Sequence, residues 1–448
     1  MNSKCLSILV LFFFSVCAFS SANDLLPERI TKAINSGQIH YRLTTPEDME
    51  SIFGKPVSKE ISQDGEFEIL KENYSLKNSA ICAYFSRFSG NQLFKKVPFS
   101  LLGVSVNDNF IEIGSNRVIE LKTLDDLAKF DQLSGFDKVS LKRLNLKSQI
   151  KILESVPFSS ETIWPESSKL PKGFSPSQYL SQGKDPGLGI RALHKRGIDG
   201  RGIHIAIIDQ PLFLESEEYK NNIVATYQYE VDEVPSQMHS SAVVGIAVGK
   251  ESGVAPGAMV SFFATPSWKN DNLYYVKVFE KILEINQKSS LKDKIRVVSL
   301  SSGMFADFAH YEEFKEARKK LENSGVLFLT CLQEEPFASS ALQRIPGKDP
   351  NLFSSYQKFY QSGQDVLLVP AGGRTLASHL IKLGWKYDPV GGLSWTPPYL
   401  AGLAALSMQV KPDITSRQII ELLQKTAIHT PIGKIVYPEG FINEVEKL

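Results

Sequence analysis

Three side chains that together could activate a nucleophile are spread along the chain. Asp209 ends the apolar run "GIHIAIID", His239 precedes a run of small residues, and Ser394 stands just before two adjacent prolines. A carboxylate can hold one imidazole nitrogen, which leaves the other nitrogen to take a proton from a hydroxyl group. The residue types and the chain order Asp, His, Ser therefore fit covalent chemistry at the serine, because such triads occur in this order.

The stretch "GGLSWTPPYLAGLAAL" places Ser394 at the start of a predicted buried helix. Prolines are tolerated in a first helical turn, since their missing N–H groups would have no partner there. The unpaired N–H groups and the positive end of the helix dipole favour a developing negative charge beside the serine. The alternative is that Ser394 is an ordinary N-cap, a role that serine often fills.

Asp209 and His239 each have a structural alternative as well. An aspartate at the end of a strand commonly makes a turn or caps the next element. A histidine at a helix entrance is often a structural residue whose hydrogen bonds are satisfied. The three residues together, in an order found in serine proteases, favour the catalytic interpretation over these separate ones.

The elements that must position these residues form an α/β pattern over residues 187–448. Short apolar runs such as "IHIAIID", "AMVSFFA", "IRVVSLSSG", "GVLFLTC" and "DVLLVP" alternate with amphipathic helical stretches. This alternation indicates a mostly parallel sheet with helices on both faces, whose reactive groups gather at the carboxyl ends of the strands. Before it, residues 23–155 are predicted to form a smaller α+β region, and residues 156–186 an extended Pro- and Ser-rich linker.

Residues 1–22 have the pattern of a secretory signal peptide. One lysine is followed by an apolar stretch and the small residues "SSA", with cleavage expected after Ala22. No later segment is long and apolar enough to span a bilayer, so we expect an exported protein, extracellular or periplasmic. The two remaining cysteines, Cys82 and Cys331, show neither a disulfide framework nor metal-ligand spacing, and Cys331 is predicted to be a buried small hydrophobe. A formal net charge of +1 without a basic block gives no reason to expect a nucleic-acid partner.

With these motifs the chain resembles the subtilisin-like serine peptidases, the subtilases. "IAIIDQP" is similar to the strand that ends in the family's aspartate, and "HSSAVVGIAVGKESGVAPGA" to its histidine helix with the following "GVAP" turn. "SWTPPYLAGLAAL" looks like the nucleophile motif, "SLSSG" like the substrate-binding edge, and "EGFINEVEKL" like the closing segment. The resemblance runs from about Pro186 to Leu448, and its five motifs stand in the family's order.

The resemblance implies a secreted serine endopeptidase that hydrolyses peptide bonds through the Asp-His-Ser triad and an acyl-enzyme intermediate. Ser301, Ser302 and Gly303 would offer backbone groups to an extended polypeptide substrate. Residues 23–183 would serve as a propeptide that inhibits the peptidase region intramolecularly, with a permanent accessory domain as the alternative. No cofactor and no metal-binding residue is predicted; calcium is frequent in the family, but no acidic loop here has the ligand spacing for it.

Several residues beside the triad depart from the family pattern. Gln210 and Pro211 stand where the family usually has Thr or Ser and then Gly, Ser240 replaces the glycine after the histidine, and Ala242 and Leu393 also differ. None of these changes removes a triad side chain. They alter the surroundings that orient the triad.

The largest departure from the family pattern concerns the donor that stabilises the oxyanion of the tetrahedral intermediate. Subtilases use a backbone N–H at the serine and the side-chain amide of an asparagine that follows a strand similar to "GVLFLTC". Without a gap that position is Glu334, and with a one-residue gap it is Gln333. Gln333 could donate through its amide and is the predicted second donor, whereas an ionised Glu334 would repel the oxyanion.

These departures keep a second function open, a catalytically impaired or inactive subtilase-like protein that acts as a binding module. Retention of all three triad residue types favours the enzyme. An α/β-hydrolase esterase is disfavoured because "GLSWT" lacks the second glycine of the nucleophile elbow and the chain order differs. A metalloprotease is disfavoured because no "HExxH" occurs in the chain.

Overall fold

The structure is a computed structural model that describes residues 46–64, 67–76, 79–88, 100–106, 109–111, 118–127, 138–231, 234, 236–290, 293–303, 305–331, 338–358 and 366–448. The predicted signal peptide lies outside the described residues. The chain divides into two compact units, Met1–Ile152 with Glu161–Lys172, and Leu153–Ser160 with Gly173–Leu448. None of the described helices is long and apolar enough to cross a bilayer.

The first unit contains an antiparallel sheet whose strands follow one another in chain order, β1-β2-β3-β4-β5. Its elements are α1 (Pro46–Phe53), β1 (Ser58–Asp64), β2 (Phe67–Leu76), β3 (Ser79–Phe88), β4 (Ser100–Val106), β5 (Asn109–Ile111), β6 (Ile119–Glu120), α2 (Leu124–Leu127) and β7 (Val139–Ser140). On β2, Leu70, Glu72 and Tyr74 alternate onto a buried face. The Glu72 carboxylate is tolerated there because Lys59 Nζ lies 2.6 Å away and the Tyr74 hydroxyl donates to it at 2.5 Å.

Helix α3 (Ile150–Ser155) spans the boundary between the two units, and the second unit then alternates strands with helices. Its elements are β8 (Phe158–Ser159), α4 (Pro176–Gly183), α5 (Ile190–Lys195), β9 (His204–Asp209), β10 (Ile223–Gln228), α6 (Met238–Val248), β11 (Met259–Ala264), α7 (Leu273–Lys288), β12 (Ile295–Leu300), α8 (Tyr311–Asn323), β13 (Leu327–Thr330), β14 (Ser339–Arg344), β15 (Tyr356–Lys358), β16 (Leu367–Gly372), β17 (Arg374–Ala377), β18 (Trp385–Asp388), α9 (Thr396–Val410), α10 (Ser416–Thr426), β19 (Ile428–Thr430), β20 (Gly433–Ile435) and α11 (Pro438–Val445). A mixed sheet of order β15-β14-β16-β20-β19 accompanies the main one.

The central sheet of the second unit is parallel throughout, with strand order β10-β11-β9-β12-β13. Alternate residues of β9 point into two different cores. Ile205 and Ile207 pack with α6 and α9, whereas Ala206 and Ile208 pack with α7 and α8. Because helices cover both faces, the strand is apolar along its length. The predicted α/β fold class, a mostly parallel sheet with helices on both faces, is confirmed.

Helix α9 is buried around its whole circumference from its first residue to Met408. Its two prolines occupy the first turn, where no backbone hydrogen bond is lost. Gly402 allows a close approach to the turn after α6, since a Cβ at this position would lie 2.5 Å from Val254 Cβ. The small residues of "YLAGLAAL" therefore seat the helix in the centre of the unit.

Parts of residues 156–186, predicted as an extended linker, have regular structure. Strand β8 pairs with β18 in a three-stranded sheet of order β17-β18-β8, and helix α4 packs against β17. The physical reason is an aromatic cluster that Phe158, Phe174 and Tyr179 form with Tyr387. The Pro- and Ser-rich composition indicated loops, but these rings bury enough apolar surface to hold the segment in place.

Candidate active site

Asp209 lies at the carboxyl end of the central strand β9 and is 7% exposed. Both of its carboxylate oxygens are 2.9 Å from Nδ1 of His239, the second residue of helix α6. Oδ1 also accepts the backbone N–H of Gln210 at 2.8 Å. The end of one strand and the start of one helix thus join two residues that are 30 positions apart in the chain.

The Asp209 carboxylate sets the protonation chemistry of His239. Burial disfavours the charged imidazole, but the negative charge and hydrogen bond of Asp209 outweigh it, so the pKa of His239 is raised above its usual 6.5. An ionised carboxylate only accepts hydrogen bonds, so Nδ1 carries the proton and Nε2 keeps a lone pair. No residue that the structure describes hydrogen-bonds Nε2. A general base needs this arrangement.

Ser394 lies in the 3-10 turn Leu393–Trp395, directly before helix α9. It is not the N-cap of that helix, since Trp395 holds that position and no side chain caps the helix. The Ser394 carbonyl accepts a hydrogen bond from Ser301 Oγ at 2.7 Å, and the Trp395 ring lies 5.3 Å from the His239 ring. Among the described residues, no hydrogen bond joins the Ser394 hydroxyl to His239. The structure therefore places the residue after Ser394, Trp395, next to His239, and no described hydrogen bond links Ser394 to the Asp–His pair.

The predicted substrate edge, Ser301 to Gly303, follows strand β12. The backbone of Ser302 is engaged within the protein, because its N–H donates to the Leu300 carbonyl at 2.8 Å and its carbonyl accepts the N–H of Cys331 at 3.0 Å. The Ser301 hydroxyl ties this edge to the carbonyl of Ser394. Ser301 thus connects the edge with the turn that carries the candidate nucleophile.

Cys331, predicted to be a buried small hydrophobe, is only partly buried and follows strand β13 beside this site. Desolvation raises the pKa of its thiol to about 12, and the neighbouring Ser394 side chain acts in the opposite direction. The two side chains are therefore neighbours, but no hydrogen bond joins them among those that the described residues make. A signal for this was present in the chain, because Cys331 directly follows a buried parallel strand, as Asp209 does.

Two residues that depart from the subtilase pattern contact each other. Ser240 Oγ donates to the carbonyl of Pro211 at 2.7 Å, and the backbone N–H of Gln237 donates to the same carbonyl at 2.8 Å. These bonds join the loop after Asp209 to the first turn of α6, which carries His239. Pro211 and Ser240 therefore help to hold Asp209 and His239 in position.

A cavity of about 230 Å³ opens beside the Asp–His pair. Gln210, Thr265, Ser267 and Tyr275 contribute to its wall. Thr265 is 1% exposed, and its hydroxyl has no hydrogen-bond partner within the described ranges. Burial raises the pKa of Tyr275 to about 12, so this phenol stays neutral. The cavity thus offers neutral hydroxyl groups to whatever enters it.

The two candidate oxyanion residues, Gln333 and Glu334, lie outside the described residues, so their roles stay predictions. Within the part of the chain that the structure describes, no group of three or more His, Cys, Asp or Glu side chains is arranged to hold a metal ion.

The chain has relatives among curated proteins, although no protein-family model matches it. It is 26% identical over 288 residues to subtilisin amylosacchariticus of Bacillus subtilis subsp. amylosacchariticus and to subtilisin E of Bacillus subtilis (strain 168); each alignment covers 59% of this chain and 69% of the relative. It is 24% identical over 181 residues to Subtilisin-like protease 3 of Plasmodium falciparum (isolate 3D7), over 34% of this chain. The chain spans only 23% of the length of that last protein.

Three solved structures align with more than half of the chain at low similarity. The subtilase cytotoxin SubAB has a TM-score of 0.46 at 14% identity (59% of this chain, 96% of that one), and the PatG macrocyclase domain 0.43 at 16% (58% and 95%). A cold adapted subtilisin-like serine proteinase has 0.40 at 19% (54% and 90%). Independently of these structures, the curated relatives and the five motifs in family order make the chain similar to the subtilisin-like peptidases, the subtilases.

Proposed function

We propose that the protein is a serine endopeptidase that hydrolyses peptide bonds in polypeptide substrates. The observation that carries this proposal is the contact of both Asp209 carboxylate oxygens with Nδ1 of His239. Nε2 is left open near the turn that holds Ser394. The subtilisins to which the chain is similar supply the reaction class.

In the proposed reaction, Ser394 Oγ attacks the carbonyl carbon of the scissile peptide while Nε2 of His239 takes the hydroxyl proton. The tetrahedral intermediate then collapses, the C–N bond breaks, and the imidazolium gives its proton to the leaving amine. Water attacks the resulting acyl ester in the same way and releases the acid and Ser394. Asp209 fixes the imidazole tautomer and stabilises the imidazolium, the same effect that raises the pKa of His239.

The open link between Ser394 and His239 closes, on this proposal, when substrate binds. The Ser394 side chain then moves from beside the Cys331 thiol to Nε2 of His239. Catalytic hydrogen bonds are often long in the absence of substrate and shorten in the complex. The N-terminus of α9 provides one oxyanion donor, and Gln333 is proposed as the second.

The substrate lies extended along the Ser301 to Gly303 edge, where it pairs with Ser301 and Gly303 because both backbone groups of Ser302 are engaged within the protein, and one of its side chains enters the cavity beside Asp209. We include in the proposal that the protein is exported and that residues 23–183 inhibit the peptidase region before they are removed. Each part has its own readout, because a cleaved N-terminal region appears as a loss of mass whether or not an added substrate is cut.

Hydrolysis of a fluorescently labelled unfolded protein tests the proposal. Ser394→Ala abolishes hydrolysis on this account. Ser407→Ala is the matched control, because Ser407 lies on α9 and its hydroxyl only donates to the Ala404 carbonyl at 2.8 Å. Ser407→Ala should hydrolyse the labelled protein as the wild type does. A folded wild-type protein without hydrolytic activity would instead support the binding module.

A further inference from the structure

Two arginines lie inside the second unit, and neither has a carboxylate in hydrogen-bond contact among the described residues. Arg344, at the end of β14, is 3% exposed, and Arg374, at the start of β17, is fully buried. Arginine is almost never fully buried unless its charge is compensated, because removal of a cation from water is costly. The peptidase chemistry proposed above uses neither residue.

The guanidinium of Arg374 is left partly unbonded. Nη2 donates to the Ser252 carbonyl at 2.7 Å, but Nε and Nη1 have no hydrogen-bond partner among the described residues. The group lies 5.7 Å from the ring centroid of Tyr399 on α9, and no residue that the structure describes bonds the buried hydroxyl of Tyr399. Buried polar groups in native proteins are nearly always hydrogen-bonded, so this cluster calls for a ligand or for water.

Arg344 repeats the pattern nearby. Its Nη1 donates to the Gln182 carbonyl at 2.9 Å and its Nη2 to the Asp185 carbonyl at 2.8 Å, while Nε has no partner in the part of the chain that the structure describes. Its guanidinium lies 5.8 Å from the ring centroid of Tyr356. Carbonyl oxygens accept hydrogen bonds but carry no net charge, so they do not neutralise the arginine.

The carboxylate of Asp185 acts on this cluster from a distance but is engaged elsewhere. Its Oδ1 accepts the N–H of Gly187 at 2.8 Å, and its Oδ2 lies 3.5 Å from Nε of Arg191. Burial, and next the charge of Arg344, lower the pKa of Arg374 to about 10, so it remains protonated at neutral pH. The interior therefore holds two positive charges.

We propose that Arg344, Arg374 and Tyr399 form an interior binding site for a small monovalent anion such as chloride. Three unpartnered N–H groups and one hydroxyl supply the donors, and the anion supplies the missing charge. All three side chains are at most 3% exposed, so a small anion fits this interior better than a large oxyanion.

The anion would join three segments of the second unit, one of which is α9, the helix that follows Ser394. Tyr399 belongs to α9, Arg374 to β17, and Arg344 holds the carbonyls of Gln182 and Asp185. Buried water would satisfy the donors without neutralising the charges. The two occupants differ in a measurable way, because only an ion makes stability depend on the identity of the salt.

Thermal unfolding of the purified wild-type protein, with chloride replaced by gluconate at constant ionic strength, tests the site. Above its dissociation constant, chloride should raise the midpoint by roughly 2–4 °C for each tenfold increase. Arg374→Met should lose this dependence. The matched control is Arg296→Met, whose guanidinium donates to the carbonyls of Pro412 and Ile414 at 2.5 and 2.7 Å; it should respond to chloride as the wild type does.

A chloride effect that is absent from the wild type, or equal in wild type and Arg374→Met, would overturn the proposal. If Arg374→Met does not fold, wild-type crystals grown in bromide decide the matter. An anomalous peak between Arg344 and Arg374 supports the site, and ordered water only at that place overturns it. Neither measurement uses peptidase activity, so the outcome does not depend on the proposed function.

Discussion

The two ends of strand β9 each lie beside a histidine, and the two histidines have different partners. At the amino end, His204 has Nδ1 3.1 Å from the Asp293 carbonyl and Nε2 3.0 Å from the Ser261 hydroxyl. At the carboxyl end, Nδ1 of His239 contacts both oxygens of Asp209, and no described residue hydrogen-bonds its Nε2.

These partners dictate opposite chemistry. A carbonyl only accepts, so Nδ1 of His204 must donate to it and Nε2 must accept from Ser261, which leaves no nitrogen free. Burial lowers the pKa of His204, whereas the charge of Asp209 raises that of His239 despite burial. Position at a sheet end is thus not enough to make a histidine a base. One nitrogen must be held by a charge and the other left open.

The largest expected effect separates the two histidines directly. His239→Gln should lower kcat/KM by about 10⁴-fold, because it removes the proton acceptor of the proposed mechanism. His204→Gln should change kcat/KM by less than about 2-fold, since His204 makes only structural hydrogen bonds. Both variants are assayed where circular dichroism shows them folded. Equal losses of kcat/KM in the two variants would show that the two histidines do not differ in role.

Asp209→Asn tests the partner of His239. The amide can donate to Nδ1 and stabilise the wrong tautomer, so we expect kcat to fall by about 10³–10⁴-fold. Asp293→Asn is the control at the other end of the strand, because only the backbone carbonyl of Asp293 contacts His204. Steady-state kinetics of both variants measure the difference. Wild-type kcat in Asp209→Asn is the result that would remove Asp209 from the mechanism.

The pH profile has a sign that follows from the raised pKa of His239. The base acts as neutral imidazole, so kcat/KM should rise with pH, by up to about tenfold per unit, to an inflection above 6.5. Residual activity of Asp209→Asn should show this inflection at lower pH, because the attracting charge is gone. His204→Gln should leave it in place. An inflection that shifts in His204→Gln would contradict the assignment of His239 as the base.

The smallest expected effect concerns Ser240, which positions the first turn of α6. Ser240→Ala removes the hydrogen bond to the Pro211 carbonyl, about 1 kcal/mol, so kcat should fall by about fivefold or less while KM is kept. The matched control is Ser241→Ala on the same helix, whose hydroxyl accepts from Tyr219 at 2.9 Å. A change confined to KM in Ser240→Ala would argue against a positioning role.

Chain order and periodicity could predict the parallel sheet and the places of Asp209 and His239, because both follow from where strands end and helices start. Contacts between distant segments could not be predicted in the same way. The Ser240–Pro211 bond joins residues 29 apart. The buried cluster joins Tyr399 of α9 to Arg374, which lies in a stretch, "GGRTLAS", that has the composition of a turn.

The predicted linker, residues 156–186, is a second case in which contacts between distant segments could not be predicted. Phe158 and Tyr179 are ordinary apolar residues in a Pro-rich stretch until Tyr387 is folded against them. Tertiary packing then overrides the local composition. Local sequence therefore predicts elements well where each element is apolar on its own, and less well where its partners lie far along the chain.

The central claim is that His239 activates Ser394. Treatment of the folded protein with a fluorophosphonate probe, followed by intact mass and peptide mapping, tests it most directly. We expect one label per chain, on Ser394, with a rate that rises with pH as His239 loses its proton, and no label in Ser394→Ala. A folded wild-type protein that stays unlabelled, or an equal label in Ser394→Ala, would contradict it.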